Sequence, residues 1–322
     1  MKKKIVAFGE IMLRLAAPDG KSIRDSDRFD AVYGGTEANV LACLSAFGHE
    51  TKYLTALPEG PLGEAVLAHL ARFGIDTSDV LVRGDTLGLY FSENGGASRG
   101  TNVIYCRKHS EFTRLDEQSF LPDKVFAEAA LFHVSGISFA LSESSRRLAF
   151  RLVREAQARG IPVSFDFNYR AGLWSVGRAR EVLREAAAGA DILLASRKDL
   201  DVFLQMREEE VFERLPRCRC LALRDRTVLS PARHAVQLSL LLRREGRYDM
   251  PEVSFPVLER IGGGDAFNGA LLHALLRKDA PADAAKFSVA AFALKHTVRG
   301  DTFTLTEGDV LRYLKKMEEE GL

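Results

Sequence analysis

Cysteine, tryptophan and long apolar runs are scarce in this 322-residue sequence, which has one tryptophan and four cysteines. Scattered cysteines in such a low number argue against a disulfide framework and are typical of reduced thiols in a cytoplasm. Apolar runs stay well short of the roughly 20 residues that span a bilayer, and the basic residues at 2–4 precede only a short apolar run. A cytoplasmic protein without membrane contact is therefore expected.

An excess of charge of either sign is also absent. Lys plus Arg number 45 and Asp plus Glu 44, which leaves a formal net charge of +1. Without a global positive field, recruitment of nucleic acid or of an acidic membrane surface is not expected. Hydrophobic residues make up 46% of the chain, which is enough for a sizeable core. A globular protein with a small-molecule ligand fits this composition.

Residues that commonly ligate metals form no constellation in the sequence. Cys218 and Cys220 are two apart but have no partners at the spacing of a zinc site, and their flanks have the pattern of a strand. The histidines are dispersed. We interpret His133 in an apolar run, and His273 and His296 on helical segments, as core or cap residues.

Short apolar runs and helical periods alternate along the chain, which predicts an α/β fold with a mostly parallel sheet and covering helices. Strands are predicted at 5–8, 53–57, 132–134, 163–165, 192–194, 221–223 and 235–242, and helices at 40–47, 62–73, 143–159, 178–188, 282–296 and 307–319.

A hairpin interrupts this rhythm. Two alternating runs, at 87–92 and 101–107, flank Asn94-Gly95-Gly96. We expect one continuous domain, 1–322, whose small inserted sheet forms a lid from about 11–33 and 85–110. Exposed lid strands can pair between subunits, so a homo-oligomer through the lid is expected.

The most informative stretch has three glycines and an acid, Gly262-Gly263-Gly264-Asp265, directly before an amphipathic helix. The glycines place unblocked backbone N–H groups at a helix N-terminus, where the partial positive charge suits phosphate. Asp265 in the first turn can accept a proton from an attacking hydroxyl. On this stretch alone, a plain turn with an acid that favours the helix dipole is an equally good interpretation.

A second glycine pair, Gly34-Gly35, also stands before a helix, and Asn39 follows it either as a site residue or merely as a cap. Two glycine-led helix starts suit a substrate and a nucleotide phosphate. With both motifs the sequence resembles the ribokinase-like (PfkB) carbohydrate kinases over essentially its full length, and most closely the 2-keto-3-deoxygluconate kinases. The stretches that carry this resemblance are 8–14, 33–40, Asp166-Phe167-Asn168-Tyr169-Arg170, 262–265 and 293–296.

The resemblance implies a ribokinase-like three-layer α/β/α fold and ATP-dependent transfer of the γ-phosphoryl group to the 6-hydroxyl of a 2-keto-3-deoxy sugar acid. It also implies an anion hole from Gly262, Gly263 and Gly264, with Asp265 as the base. Contacts with the sugar acid are implied for Gly34, Tyr90, Tyr105, Arg107, Arg170, Asp265 and Asp301, and contacts with the nucleotide for Asn168, Ser196, Arg224, Gly262 and Gly264. Mg²⁺ is expected because it neutralises charge between the β- and γ-phosphates.

The residue types of the implied pocket fit an acidic sugar. Tyr105 and Arg107 are two apart on a strand and share one face, and Tyr90 lies on the partner strand. Arg107 and Arg170 can clamp a carboxylate, whose planar geometry matches guanidinium. Each residue alone is better explained as a surface arginine, a packed tyrosine or a capping aspartate, and only their co-occurrence favours a binding site.

Three departures from the family pattern stand out. Glu259 and Arg260 replace the common Asp-Thr before the glycines, and Ser196-Arg197-Lys198-Asp199 replaces an Asn-x-x-Glu pattern that helps to organise magnesium. Asp199 can still hold metal-bound water, but Arg197 and Lys198 bring positive charge. The segment 226–233 lacks the glycines that many relatives use near adenine.

Two alternatives remain open at this point. One is a related kinase for fructose, ribose or another sugar acid. The other is a weakly active sugar-binding or regulatory protein that kept the pocket and lost the magnesium site.

Overall fold

The computed structural model describes residues 4–94 and 100–319. Gly95 and Gly96 of the predicted hairpin turn lie outside the described residues. Across those two ranges, no helix has both the length and the apolar character that crossing a bilayer requires.

The larger sheet has eight strands in the order β14-β13-β12-β11-β10-β9-β1-β4. Its strands are β1 (Lys4–Phe8), β4 (Thr51–Leu54), β9 (Ala129–Ser135), β10 (Val163–Asp166), β11 (Ile192–Ala195), β12 (Cys220–Ser230), β13 (Arg233–Leu242) and β14 (Gly246–Pro256). The neighbours from β4 to β12 are parallel, and β12, β13 and β14 pair antiparallel. The predicted mostly parallel sheet is confirmed.

Seven longer helices cover this sheet: α1 (Thr36–Ala46), α2 (Pro61–Ala71), α3 (Glu143–Ala158), α4 (Val176–Ala188), α5 (Gly263–Arg277), α6 (Pro281–Lys295) and α7 (Glu307–Glu319). Shorter helical segments are Ile23–Asp25, Glu111–Arg114, Pro122–Val125, Gly136–Ala140, Arg197–Asp199, Leu200–Leu204, Glu208–Glu210 and Val211–Arg214.

Alternating side chains of the buried strands face two separate cores. In β1, Val6 and Phe8 pack with α3 and α4, whereas Ile5 and Ala7 pack with α1 and α2. The second face continues into a cluster built from α5, α6 and α7. Because a strand presents successive residues to opposite faces, the sheet is sandwiched between two helical layers. The ribokinase-like three-layer α/β/α fold expected from the sequence is confirmed.

A separate four-stranded sheet, the small sheet, has the order β3-β2-β7-β8. It consists of β2 (Met12–Ala16), β3 (Asp30–Gly34), β7 (Leu89–Asn94) and β8 (Thr101–Cys106). The pair β7 and β8 is antiparallel, as the alternating runs predict, and β2 joins β7 in parallel. These strands fall inside the two segments that the sequence assigns to a lid, except for Gly34, the last residue of β3.

Three local differences from the predicted elements are apparent. The single strand predicted at 53–57 is broken, because β4 joins the large sheet whereas Ala56–Leu57 (β5) pairs with Leu81–Val82 (β6). Residues 226–230, for which the sequence predicts no element, extend β12. The strand β14 was not predicted, since its polar and apolar residues do not alternate regularly.

The residues considered as metal ligands or core residues lie inside the protein. Cys218 and Cys220 are buried free thiols, and burial raises the pKa of the Cys218 thiol to about 12. His133 is fully buried in β9, its Nδ1 lies 3.1 Å from Ser164 Oγ, and burial lowers its pKa to about 3. Both observations agree with a packing role for these residues.

Candidate active site

The glycine turn before α5 is enclosed on three sides. Gly262 has a φ of 80°, in the left-handed region that favours glycine. A Cβ atom at Gly262 would collide with the backbone oxygen of Asp301, and one at Gly263 with the imidazole of His296. At Gly264 a Cβ atom would lie 3.0 Å from Arg224 Nη2. Packing around this turn therefore leaves no room for a side chain at Gly262 or Gly263, whereas at Gly264 the guanidinium of Arg224 would have to shift slightly.

Asp265 lies in the first turn of α5, where the sequence places it. Thr36 Oγ1 donates a hydrogen bond to one carboxylate oxygen, and Asn39 Nδ2 donates to the other at 2.7 Å. Both donors belong to α1, which begins directly after the second glycine pair. Burial raises the pKa of Asp265, and the bonds from Thr36 and Asn39 oppose that shift. The two glycine-led helix starts thus meet at one carboxylate.

Asp301 is a buried carboxylate between the small sheet and the glycine turn. Tyr90 on β7 donates its hydroxyl hydrogen to Asp301, and Arg14 Nε on β2 lies 3.1 Å from Asp301 Oδ1. Burial raises the pKa of Asp301 to about 6, although Arg14 lowers it. A Cβ atom at Gly34 would collide with the Asp301 carboxylate, so the glycine there allows this close approach.

The two arginines predicted to clamp a carboxylate differ in their surroundings. Arg107 is buried, and its Nε donates to Glu10 Oε2 at 2.7 Å while its Nη2 pairs with the same oxygen. Arg170 is exposed, and no ion pair among residues 4–94 and 100–319 includes it. Tyr105 stacks on Tyr90 with ring centroids 5.6 Å apart. Arg107 is therefore already paired with a carboxylate, whereas Arg170 has no such partner among the described residues.

Arg224 borders the other side of the glycine turn. Its Nη1 donates to Gly264 O at 3.1 Å, and its guanidinium lies 4.7 Å from the ring centroid of Phe267. Burial lowers the pKa of Arg224, and Asp166 at the end of β10 opposes that shift. Burial has the opposite effect on an acid, and it raises the pKa of Asp166 to about 6. Asn168, with a φ of 37°, donates to Asp166 Oδ2 at 3.3 Å.

Ser196 and Asp199 form a reciprocal cap at the end of β11. The Asp199 Oδ2 atom accepts hydrogen bonds from Ser196 N at 2.8 Å and from Ser196 Oγ at 2.7 Å. Arg197 turns away to Asp225, to which its backbone N donates at 3.1 Å. The positive charge of Arg197, which was expected to disturb a metal ion here, is therefore paired with Asp225. Lys198 is exposed and does not line the cavity.

One cavity of about 520 Å³ joins these groups at the carboxyl ends of the parallel strands. Of the residues assigned to the site from the sequence, only Gly263 is not part of its lining. The lining includes Gly34, Tyr90, Tyr105, Arg107, Asn168, Arg170, Ser196, Asp199, Arg224, Gly262, Gly264, Asp265 and Asp301. Ligands of open α/β sheets bind at this end of the strands.

The model of the pfkB family carbohydrate kinases matches residues 2–307 of the chain. This chain belongs to that family. It is therefore a carbohydrate kinase, a phosphotransferase, as the sequence predicts.

The alignments with individual relatives cover nearly the whole length of this pfkB carbohydrate kinase. A 2-dehydro-3-deoxygalactonokinase of Haloferax volcanii is 32% identical over 319 residues, covering 98% of both chains. A 5-dehydro-2-deoxygluconokinase of Clostridium perfringens is 25% identical over 328 residues, covering 99% of this chain and 95% of the relative. The crystal structure of a 2-dehydro-3-deoxygluconokinase from Thermotoga maritima superposes with a TM-score of 0.94 at 32% identity, covering 98% and 99% of the two chains.

Some residues of the kinase's cavity were not among those assigned to the site from the sequence, although Asn39 was considered either as a site residue or as a cap. Thr36 and Asn39 hold Asp265, and their place after the second glycine pair was the available signal. Glu10 and Glu37 also line the cavity. Both glutamates lie in stretches that carry the family resemblance, 8–14 and 33–40, but only the fold shows that they are buried.

Two further residues have positions that refine the sequence interpretation. His296 is buried at the C-cap of α6, as interpreted, but it also lines the cavity. Burial lowers the pKa of His296 to about 4, so it is neutral at physiological pH. Glu259, where the family has a shorter acid, accepts a hydrogen bond from Arg14 Nη1 at 3.3 Å. The longer side chain thus connects the glycine turn to the small sheet.

Proposed function

We propose that this kinase transfers the γ-phosphoryl group of ATP to the 6-hydroxyl of 2-keto-3-deoxygluconate, giving 2-keto-3-deoxy-6-phosphogluconate. The observation that carries the proposal is the carboxylate of Asp265, held by two donors at the start of α5 beside a cavity lined by arginines. Backbone N–H groups and a helix dipole at this position stabilise negative charge that develops on a phosphoryl group.

An acidic substrate is supported by the charge of the cavity. Arg170, Arg226 and Arg260 line it, and within the described part of the chain none of the three belongs to an ion pair. The pKa of Arg226 is lowered by burial and then by the positive charges of Arg260, Arg224 and Arg170. Anions relieve this mutual repulsion, so phosphates and a substrate carboxylate both fit here.

The proposed roles at the sugar side follow from these positions. Arg170, together with Arg107, binds the carboxylate of the substrate. The remaining contacts with the sugar acid are proposed for Gly34, Tyr90, Tyr105, Asp265 and Asp301. The small sheet acts as a lid, because β7 carries Tyr90 and β8 leads directly into Arg107, both of which line the cavity, and it excludes water from the transfer.

Asp265 is proposed as the general base. Its raised pKa makes it a better proton acceptor than a surface carboxylate, and the bonds from Thr36 and Asn39 fix its orientation. The proton of the 6-hydroxyl passes to Asp265 while the hydroxyl oxygen attacks the γ-phosphorus, and the bond from that phosphorus to the bridging oxygen of ADP breaks. Gly262, Gly263 and Gly264 stabilise the phosphoryl oxygens.

The nucleotide is proposed to contact Asn168, Ser196, Arg224, Gly262 and Gly264. If Mg²⁺ binds with the nucleotide, Asp199 would hold it through water and Asp166 would offer a second carboxylate, since both side chains line the cavity and Mg²⁺ prefers hard oxygen ligands. No group of three or more metal-ligating side chains occurs among the described residues, which agrees with an ion held mainly by phosphates and water. There, Mg²⁺ would neutralise charge between the β- and γ-phosphates.

Substrate tests separate this proposal from its rivals. ADP release should be measured with ATP and Mg²⁺ on 2-keto-3-deoxygluconate, its galacto epimer, fructose and ribose. We expect turnover on the sugar acids alone, and a loss of about a thousandfold in kcat for Asp265→Asn with an unchanged melting temperature. Turnover on a neutral sugar would contradict the acid specificity. A variant as active as the wild type would remove Asp265 from the mechanism.

A variant of Arg170 tests recognition of the carboxylate. Because Arg170 has no ion pair within 4–94 and 100–319, Arg170→Met should raise KM for the sugar acid by about 10- to 100-fold without loss of stability. Arg154→Met, on the exposed side of α3, is the matched control. An unchanged KM in the Arg170 variant would assign the carboxylate to other groups.

The galacto epimer is the second candidate substrate. The relative from Haloferax volcanii, 32% identical over 98% of this chain, is named a 2-dehydro-3-deoxygalactonokinase. The ratio of kcat/KM for the two epimers decides between single and dual specificity.

A further inference from the structure

Lys295 is a fully buried lysine at the last position of α6, with 0% of its surface exposed. Its Nζ donates to the backbone oxygens of Val298 at 3.0 Å and Gly300 at 2.7 Å. No ion pair among the described residues includes it. A buried ammonium without a carboxylate partner is costly, so its retention here requires an explanation beyond packing.

The side chain of Lys295 lies directly under the glycine turn. A Cβ atom added at Gly262 would lie 3.1 Å from Lys295 Cε and would collide with the backbone oxygen of Asp301. The residues that precede the turn are bonded to the C-terminal end of α6, because Leu258 N and Glu259 N donate hydrogen bonds to the backbone oxygen of His296 at 2.8 and 3.0 Å. The turn therefore lies on the segment 295–301.

The segment 295–301 would disfavour a phosphate at the glycine turn unless a cation compensated its negative dipole ends. The C-terminus of α6 carries a partial negative charge, and the oxygens of Val298, Gly300 and Asp301 add further negative ends of dipoles. The ammonium of Lys295 binds two of those oxygens and offsets their field. Burial lowers the pKa of Lys295 to about 8, while Glu259 and Asp301 oppose the shift, so the group is charged at neutral pH.

We propose that the ammonium of Lys295 is a fixed internal cation that holds the segment 298–301 under Gly262 and keeps the glycine turn in its phosphate-binding shape. Lys295 is thus a positioning residue, which touches neither substrate. The inference rests on the proposed phosphoryl transfer at 262–265.

Removal and chemical replacement of the cation test this role. In Lys295→Ala, assayed with Na⁺ as the only monovalent cation, kcat should fall roughly 100-fold, the scale of losing one preorganised group at an anion site. Ammonium or potassium ions can occupy the vacated space, so they should restore kcat at least tenfold in this variant and change the wild type less than twofold. Lys286→Ala is the matched control, since Lys286 is on α6 but pairs with Glu318 at the surface.

Lys295→Met separates charge from volume. Methionine fills the space without a charge, so this variant should lose kcat to a similar extent and show no rescue by ammonium. If Lys295→Ala does not fold, Lys295→Met alone tests the inference. A folded Lys295→Met with turnover within threefold of the wild type overturns it.

Other outcomes also overturn it. A folded Lys295→Ala with near wild-type kcat, or a loss that neither cation reverses, leaves Lys295 with a structural role only. Asp265→Asn, assayed in parallel, separates the two proposals. If that variant stays active, the proposed transfer site itself is wrong; if it is inactive while Lys295→Ala is normal, only the internal cation is wrong.

Discussion

Glu37 is a buried carboxylate, 1% exposed, that has no ion pair within the described ranges. Its Oε1 accepts hydrogen bonds from Ser135 N at 3.0 Å, Ser135 Oγ at 2.7 Å and Ser138 Oγ at 2.9 Å. Burial nevertheless raises its pKa from 4.5 to about 7. Neutral Glu37 is therefore favoured by folding, and its ionisation works against the folded state.

We predict that Glu37→Gln removes a pH dependence of stability. Because the folded pKa is raised, the stabilisation is complete below the unfolded pKa of about 4.5 and is lost as the pH rises through about 7. One pKa unit corresponds to about 1.4 kcal/mol, so the free energy of unfolding of the wild type should fall by about 3 kcal/mol relative to Glu37→Gln. Urea unfolding at about pH 4 and about pH 8 measures this difference.

An exposed carboxylate supplies the control for this comparison. Glu64→Gln removes a glutamate from the exposed side of α2. A wild type and a Glu37→Gln variant whose stabilities change in parallel with pH would show that folding does not raise the pKa of Glu37, contrary to the effect of its burial.

At the scale of elements, the start of α5 depends on the turn that precedes it. Gly262 has a φ of 80° and no room for a side chain against Asp301. We predict that Gly262→Ala lowers stability by about 2 kcal/mol or more, because a left-handed alanine is itself costly and the collision adds to it. Its kcat should fall by about 100-fold or more, since the N–H groups of the turn lose their alignment.

A glycine inside a helix provides the comparison for this change. Gly177 is exposed in α4, and nothing lies within 4 Å of a Cβ atom added there. Gly177→Ala should leave kcat unchanged and raise stability by up to about 1 kcal/mol, because alanine favours helix. Thermal unfolding and steady-state kinetics of both variants test the contrast, and equal effects would disprove the special role of Gly262.

At the scale of the whole molecule, the small sheet is connected to the large one through the site itself. Tyr90 and Arg14 reach Asp301, and Arg14 also reaches Glu259. The edges of the small sheet are β3 and β8, and exposed edge strands can pair with another chain. Assembly through this sheet stays a prediction.

A charge placed on β8 tests that assembly. Ile104 on β8 is 47% exposed. If copies of the chain associate through the small sheet, Ile104→Asp should lower the mass measured by light scattering from an oligomer to the 35.6 kDa of one chain. Leu121→Asp, at a residue 69% exposed elsewhere, should not change the mass. A wild type that is itself monomeric would contradict the prediction.

The sequence by itself determined most of the strands and helices in their order, the two glycine-led helix starts and the family, but not β14 or the break after β4. These depend on local patterns, since hydrophobic periodicity fixes the elements and glycines before a helix fix the turn chemistry. The position of Asp265 in the first turn of α5 followed from the same kind of local pattern.

Only the tertiary structure decided which side chains meet. Thr36 and Asp265 are 229 residues apart in the chain, and their contact depends on how α1 and α5 pack. The pairing of Arg107 with Glu10, the neutralisation of Arg197 by Asp225 and the burial of Lys295 have the same origin. Burial and charge partners are long-range properties, because each requires the neighbours that folding brings, and a local pattern carries no record of them.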